Sequence, residues 1–319
     1  MKEKMVLITG ANGFLGRHLC AEMYQQGWRV KAATRSVDPL IAGAEPVMVG
    51  SIDGGINWAD ALSGVDAVVH LAARVHVIRD DATNPLAEFR AVNVGGTLNL
   101  ARQAVKAGVR RFLFLSSIGV NGHATQGVPF DESSEPAPHS EYSVSKYEAE
   151  QGLQEIAAKS VMEIIIIRAP LVYGPSAPGN FAKLINFTSK SYPLPLGAIR
   201  NRRSFVSTYN LLDFIVTCLD HPAAANQTFL VSDGEDLSTT ELLRRLAAAL
   251  NVPTRLLPVP QKLLEAGFKI VGKSVLAQRL CGSLQVDITK ARTMLDWNPP
   301  VSVDEGLRIT AEHFLRGRG

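Results

Sequence analysis

Short apolar runs separated by longer amphipathic segments limit this chain to very few folds. Val6 to Thr9, Val30 to Thr34, Ala67 to Leu71, Phe112 to Ser116 and Ile164 to Arg168 are rich in β-branched residues. Between them, Gly13 to Gln26, Pro85 to Ala107 and Ser140 to Ala158 show helical spacing. Runs that are continuously apolar, rather than alternating, belong to strands buried on both faces. The pattern therefore predicts an α/β fold built on a doubly wound parallel sheet. After Gly174 the rhythm changes to Pro/Gly-punctuated connections, as in Tyr192-Pro-Leu-Pro-Leu-Gly197 and Leu256-Leu-Pro-Val-Pro260. The expected organisation is a dinucleotide-binding Rossmann domain over 1–171, with a return segment around 204–231, and a smaller C-terminal α/β lobe over 172–319.

Composition narrows the function classes. The chain has 319 residues, 46% of them hydrophobic, and a formal net charge of +3. Its cations are spread rather than massed, which argues against a nucleic-acid partner and for a small anionic one. Cys20, Cys218 and Cys281 are isolated from one another, so neither a disulfide framework nor a metal site is expected, and all three thiols read as core residues. Met5-Val-Leu-Ile8 enters a strand with no signal-peptide pattern before it, which points to the cytoplasm. The apolar run Ile164 to Tyr173 contains Arg168 and Pro170 and is shorter than the ~20 residues that span a bilayer. No membrane insertion is expected.

Two motifs carry chemistry. Thr9-Gly-Ala-Asn-Gly-Phe-Leu-Gly16 follows the first strand and opens a helix, where Gly10, Gly13 and Gly16 permit a tight turn, approach to a pyrophosphate and helix–sheet contact. Glu141-Tyr-Ser-Val-Ser-Lys146 places Tyr142 and Lys146 on one helix face, where the ammonium is expected to pull the phenol pKa down from about 10. The end of the second strand, Ala33-Thr34-Arg35-Ser36, has no carboxylate for a ribose 2′-hydroxyl, and Arg35 can pair with a 2′-phosphate. NADP(H) is the favoured cofactor on this ground, with NAD the alternative. His70 reads as a packed histidine, and Trp28, Trp58 and Trp297 as structural. His76, Arg79, Asp80 and Asp81 fall in a loop that could border a substrate.

His70-Leu-Ala-Ala73, Asn93-Val-Gly-Gly-Thr97, Leu115-Ser-Ser117 with Val120-Asn-Gly122, Tyr142 to Lys146 and Val172-Tyr-Gly-Pro175 together resemble the extended short-chain dehydrogenases/reductases of the nucleotide-sugar epimerase/dehydratase family. The resemblance covers essentially the whole chain. It implies Ser117, Tyr142 and Lys146 as catalytic residues. It implies a cofactor site of Gly10, Asn12, Gly13, Phe14, Leu15, Gly16, Arg35, Ser51, Ile52, Leu71, Ala72, Ala73 and Asn93, with Tyr142 and Lys146 reaching the ribose. Asn180, Pro195, Leu196, Arg203 and Arg279, with Ser117, match a UDP-sugar site, a dTDP-sugar being less favoured. The helices near Pro85 to Ala107 and Ser140 to Ala158 resemble a homodimer face.

Departures from the family pattern decide between reactions. Ser117 is followed by Ile118 and Gly119 instead of the Asp-Glu pair that 4,6-dehydration needs. Leu171 stands where many epimerases carry Asn, and Asn121 where Tyr is common, a change expected to alter the sugar pocket. Leu71-Ala-Ala-Arg-Val-His76, Pro195-Leu-Gly-Ala198 and Phe229 to Asp236 resemble bacterial reductases acting on the 4-keto group of a UDP-linked 6-deoxy hexosamine in surface polysaccharide synthesis. NADPH-dependent 4-ketoreduction is thus the first expectation and NAD-dependent 4-epimerisation the alternative. A non-catalytic dinucleotide sensor fits less well, because such proteins commonly lack the active tyrosine.

Overall fold

The computed structural model describes residues 3–35, 41, 43–75 and 84–317. Ten strands are present among them: β1 Met5–Thr9, β2 Arg29–Thr34, β3 Ala44–Met48, β4 Ala67–His70, β5 Arg111–Ser117, β6 Glu163–Ala169, β7 Leu171–Tyr173, β8 Arg203–Ser207, β9 Thr228–Leu230 and β10 Asp236–Leu237. Seven form a parallel sheet in the order β3-β2-β1-β4-β5-β6-β9. The strand order reverses between β1 and β4, whose carboxyl ends, Thr9 and His70, are register partners. In sheets of this kind a ligand lies across that reversal.

Apolar side chains on both faces explain why the central strands are buried. Val6 and Ile8 enter one core with Leu19, Met23, Phe214 and Phe229. Leu7 and Val68 enter another with Trp58, Leu100, Phe112 and Leu153. All five expected strands occur, and the edges β3 and β9 are additional. β3 carries Glu45 and Pro46 exposed, as suits an edge strand, and so shows none of the continuous apolar pattern of its neighbours.

Helix Phe14–Gln25 follows β1 and packs on helix Thr208–Asp220, which leads to β9. Arg111, at the start of β5, ties that second helix to the sheet. Its Nη1 donates to the carbonyls of Cys218, Leu219 and His221 at 3.0, 2.8 and 3.1 Å, and Glu163 neutralises it. The segment Pro85 to Ala107, expected as one helix, is α-helical over Pro85–Phe89 and Thr97–Lys106 with a π-helical stretch, Arg90–Gly96, between. At its end Gly96 runs hard against the loop after β3, where a Cβ would lie 2.6 Å from Ile52 Cγ2.

A three-stranded sheet, β10-β8-β7, continues directly from β6. Segment 283–287 joins it to the loop after β5. Phe130 N–H donates to Gln285 O at 2.9 Å, Asp287 N–H to Phe130 O at 2.8 Å, and Ser204 N–H to Leu284 O at 2.9 Å. This ladder fixes the start of β8 relative to the end of β5. The three cysteines are buried and free. Among the described residues no helix is long and apolar enough to cross a membrane, and no cluster of three metal-ligating side chains occurs.

Candidate active site

The glycine loop forms a cradle that tolerates no side chains. Gly10 has φ +67°, and a Cβ on it would lie 2.9 Å from Ala72 N. On Gly16 a Cβ would lie 2.1 Å from Gly10 O. Gly13 caps helix Phe14–Gln25 without any side-chain hydrogen bond, which leaves the first-turn N–H groups to an external acceptor. The residues present therefore fit a dinucleotide diphosphate. Leu71 and Ala72, with Ala73 next in the chain, lie against Gly10 just after β4, while Ile52, beside Ser51 in the loop after β3, packs on Gly96. Arg35 is exposed just beyond β2.

Behind the cradle runs a directional hydrogen-bond chain. Ala72 N–H donates to Thr9 Oγ1 (3.3 Å), and Thr9 Oγ1 donates to His70 Nδ1 (2.7 Å). His70 Nε2–H donates to Thr97 Oγ1 (2.9 Å), which donates to Asn93 O (2.7 Å). Thr97's proton is committed to Asn93, so the imidazole is neutral with its hydrogen on Nε2. Burial, with a further contribution from Lys146, pushes His70 down to about 3. Asn93 is wholly engaged with protein: Oδ1 accepts from Arg74 N–H at 2.8 Å, and Nδ2 donates to Arg74 O and Ser145 Oγ, both at 3.0 Å. These bonds clamp the loop after β4.

A pH dependence of stability follows. An unfolded histidine titrates near 6.5 and the folded one near 3. Between those values the unfolded chain binds a proton that the folded chain does not, so His70's contribution is intact above pH 6.5 and is lost as pH falls toward 3. The expected slope is about 1.4 kcal/mol per pH unit from this group. Denaturant titrations at a series of pH values, with His70→Gln as the flattened control, check it.

Ser117 ends β5, and Tyr142 and Lys146 lie in the first two turns of helix Glu141–Ala157, which packs on β5. Lys146 Nζ donates to Leu115 O at 2.8 Å and lies 4.3 Å from the centre of the Phe114 ring. A Cβ on Gly119 would lie 2.5 Å from Ser143 Oγ and 3.3 Å from Ser117 Oγ, so the strand end abuts the first turn of the helix. Ser140 caps that turn, accepting from Ser143 N–H at 3.2 Å. Ser117 Oγ accepts from Gly119 N–H at 3.1 Å, and its own proton is available to a ligand oxygen.

The electrostatics differ from expectation. Desolvation pushes the Tyr142 phenol up to about 12 rather than down. Desolvation also takes Lys146 down to about 7, against an upward pull from Glu150. With a pKa of about 7, Lys146 is only part-charged at neutral pH, which weakens its pull on a neighbouring phenolate.

Glu150 belongs to a buried network. Its carboxylate is paired with Arg168 (Nη2–Oε2 2.6 Å) and accepts a short hydrogen bond from Ser116 Oγ. Arg168 Nη1 donates to Asn121 Oδ1 at 3.1 Å, and Asn121 Nδ2 to Asp131 O at 3.1 Å. Asn121 was expected to reshape the sugar pocket; its amide is spent on Arg168 and Asp131 instead. Two sequence features point to this network: an arginine inside the apolar run of β6, and a glutamate one turn beyond Lys146.

Of the expected substrate residues, Arg203 and Arg279 come together. Arg203 Nη1 donates to Gly282 O at 3.0 Å, and its pKa is lowered by desolvation and by the nearby Arg279 charge. Two adjacent guanidiniums suit a diphosphate. Asn180 is exposed in the first turn of helix Gly179–Ser189, and Pro195 is exposed. The Leu196 side chain is buried with Ile199, Leu243, Leu264 and Cys281, while its carbonyl accepts from Thr240 Oγ1 at 2.6 Å. His76, Arg79, Asp80 and Asp81 lie outside the described residues.

A family model described as the NAD dependent epimerase/dehydratase family matches residues 6–232. The chain belongs to this family. It is 46% identical to the UDP-glucose 4-epimerase of Vibrio cholerae, over 98% of this chain and 96% of that one. It is 30% identical to the N-acetyl-alpha-D-glucosaminyl-diphospho-ditrans,octacis-undecaprenol 4-epimerase of Escherichia coli O157:H7, over 97% and 94% of the two chains. MoeE5 in complex with UDP-glucose and NAD matches with a TM-score of 0.78 at 25% identity, covering 98% of this chain and 99% of that chain. The protein is thus an enzyme of the extended short-chain nucleotide-sugar epimerase/dehydratase family with the expected Rossmann-like fold. The two relatives are named as 4-epimerases, and the expected closer likeness to 4-ketoreductases is not what they carry.

Proposed function

We propose that this enzyme interconverts the C4 epimers of a UDP-linked hexose or N-acetylhexosamine while retaining NAD. The observation that carries the reading is the packing of the helix bearing Tyr142 and Lys146 on the end of β5, which carries Ser117, with Lys146 Nζ bonded to Leu115 O and buried Ile118 and Gly119 in place of a dehydratase's acid–base pair. The 46% identity to a UDP-glucose 4-epimerase supports epimerisation over net reduction. NAD, when bound, supplies the group that takes and returns a hydride at C4. Ser117 orients the C4 oxygen through its free hydroxyl proton. Tyr142 exchanges a proton with the same oxygen, and its high pKa makes it a strong base once ionised. Lys146, poised near neutrality, supplies a positive charge one turn away when protonated, which draws the phenol toward ionisation. Arg203 and Arg279 hold the diphosphate, and homodimerisation through helix Glu141–Ala157 and its neighbours belongs to the same reading.

One feature favours a second reading, NADPH-dependent 4-ketoreduction: the end of β2 offers exposed Arg35 and no carboxylate. A single pair of assays separates the two. Purified enzyme without added cofactor is incubated with UDP-glucose and UDP-N-acetylglucosamine, and the galacto epimers are resolved chromatographically. Epimer formation is expected. No epimer, together with stoichiometric NADPH oxidation on a UDP-4-keto-6-deoxy hexosamine, establishes the reductase. In that case Arg35→Ala raises the NADPH KM by about tenfold or more while sparing NADH.

A further inference from the structure

A surface that the catalytic site does not use lies on the hairpin of helices Gln261–Ile270 and Ser274–Cys281. Leu264 and half-buried Phe268, one turn apart, seat the first helix against Leu196, Ile199 and Leu243. That accounts for one apolar stripe of the helix. A second faces outward, with Leu263 64% and Ile270 85% exposed two turns apart. The chain then turns tightly: Gly272 has φ +70°, and Lys273 N–H donates to Phe268 O at 2.8 Å. Just past the turn stand Val275, 63% exposed, and Leu276, 41% exposed, with Val271, 63% exposed, before it. Single exposed aliphatics need no explanation, but a group crowded at one helical turn does.

Charge identifies what covers it. Within the hairpin Lys262, Lys269, Lys273 and Arg279 stand against Glu265 alone. Glu265 accepts from Gln261 Nε2 at 2.8 Å, and among the described residues none of the three lysines pairs with a carboxylate. A second copy of the chain would bring these cations against their own images. The expected homodimer helices, moreover, lie elsewhere in the chain. An anionic bilayer surface meets both demands, since aliphatic tips enter the acyl boundary while lysine stems lie along it with their ammonium groups among the headgroups.

We propose that this hairpin docks the enzyme on the surface of an anionic membrane, with Ile270, Val271 and Val275 as the inserted tip and Lys269 and Lys273 as the headgroup contacts. The enzyme lies on the bilayer and does not span it. Arg279, in the last turn of the second helix, then sits within two turns of the docked tip.

Flotation with lipid vesicles tests this on the full chain. The parent is expected to float with phosphatidylglycerol–phosphatidylethanolamine vesicles and to stay behind with pure phosphatidylcholine. Each lysine near such a surface contributes roughly a fivefold factor, so Lys269→Ser/Lys273→Ser lowers partitioning by about 25-fold. Ile270→Asp/Val275→Asp abolishes it while leaving the thermal transition and turnover on soluble nucleotide-sugar unchanged, because these side chains are exposed. Flotation no better on anionic than on neutral vesicles overturns the proposal. So does flotation that survives the aspartate pair, which would reduce the effect to net charge. A parent dimer that the aspartate pair converts to monomer, without flotation, assigns the patch to a second copy instead.

Discussion

Tyr142→Phe is expected to lower kcat for C4 interconversion by about 10²–10⁴-fold, with dinucleotide affinity nearly unchanged. The phenol is the group placed to exchange a proton with the C4 oxygen, and desolvation raises its pKa to about 12. The ring is a separate matter. It packs edge-on to Phe89 with centroids 6.3 Å apart, a contact that phenylalanine preserves. Steady-state kinetics beside a thermal melt separate the two roles, and near-normal turnover in the Phe variant would remove Tyr142 from the chemistry. Ser117→Ala should cost less, since it removes a hydrogen bond to the oxygen but not the proton itself.

Glu150→Gln carries the largest expected loss of stability, about 3–5 kcal/mol. Glu150 and Arg168 are both buried, with side chains 1% and 7% exposed. Removing one charge leaves the other without compensation in a low-dielectric interior. Replacing both together, as in Glu150→Leu/Arg168→Met, should recover much of that loss, because it also removes the desolvation cost of the pair. Urea unfolding of the two variants and the parent measures this. A further consequence reaches the site. Glu150 holds the Lys146 pKa up, so without it Lys146 loses its proton at a lower pH than about 7. The pH–rate profile of whatever folded fraction remains should shift to lower pH.

How much of this molecule could be read in advance varies with the kind of signal each residue leaves in the sequence. The five central strands were legible because burial on both faces forces continuous apolar runs. β3 was not, since an edge strand satisfies only half of that constraint and admits Glu45 and Pro46. The cradle glycines were legible because backbone stands where their side chains would be. The π-helical stretch at Arg90–Gly96 was not, because apolar spacing over seven residues does not distinguish it from the α-helical turns on either side. The helix carrying Tyr142 and Lys146 was legible from its pattern, yet the direction of the Tyr142 shift was missed. Spacing shows that Lys146 shares a helix face with it; only the packing shows that both are desolvated. The side-chain partners of Asn121 and Leu196 were not legible for a related reason. Each sits in a stretch that borders the site, but one side chain is taken up by Arg168 and the other by an apolar cluster. Motif position locates a backbone more reliably than it aims a side chain.

The central claim is that a hydride leaves C4 and returns to the same sugar without exchange into the free cofactor pool. UDP-glucose carrying deuterium at C4 tests it most directly. The substrate is incubated with catalytic enzyme and an excess of unlabelled NADH, and the galacto epimer is analysed by mass spectrometry. Epimerisation with retained cofactor predicts a product that keeps its C4 deuterium and a dinucleotide pool that stays unlabelled. Deuterium appearing in free NADH or NADPH, or the absence of any epimer alongside stoichiometric NADPH consumption on a 4-keto nucleotide-sugar, would contradict it.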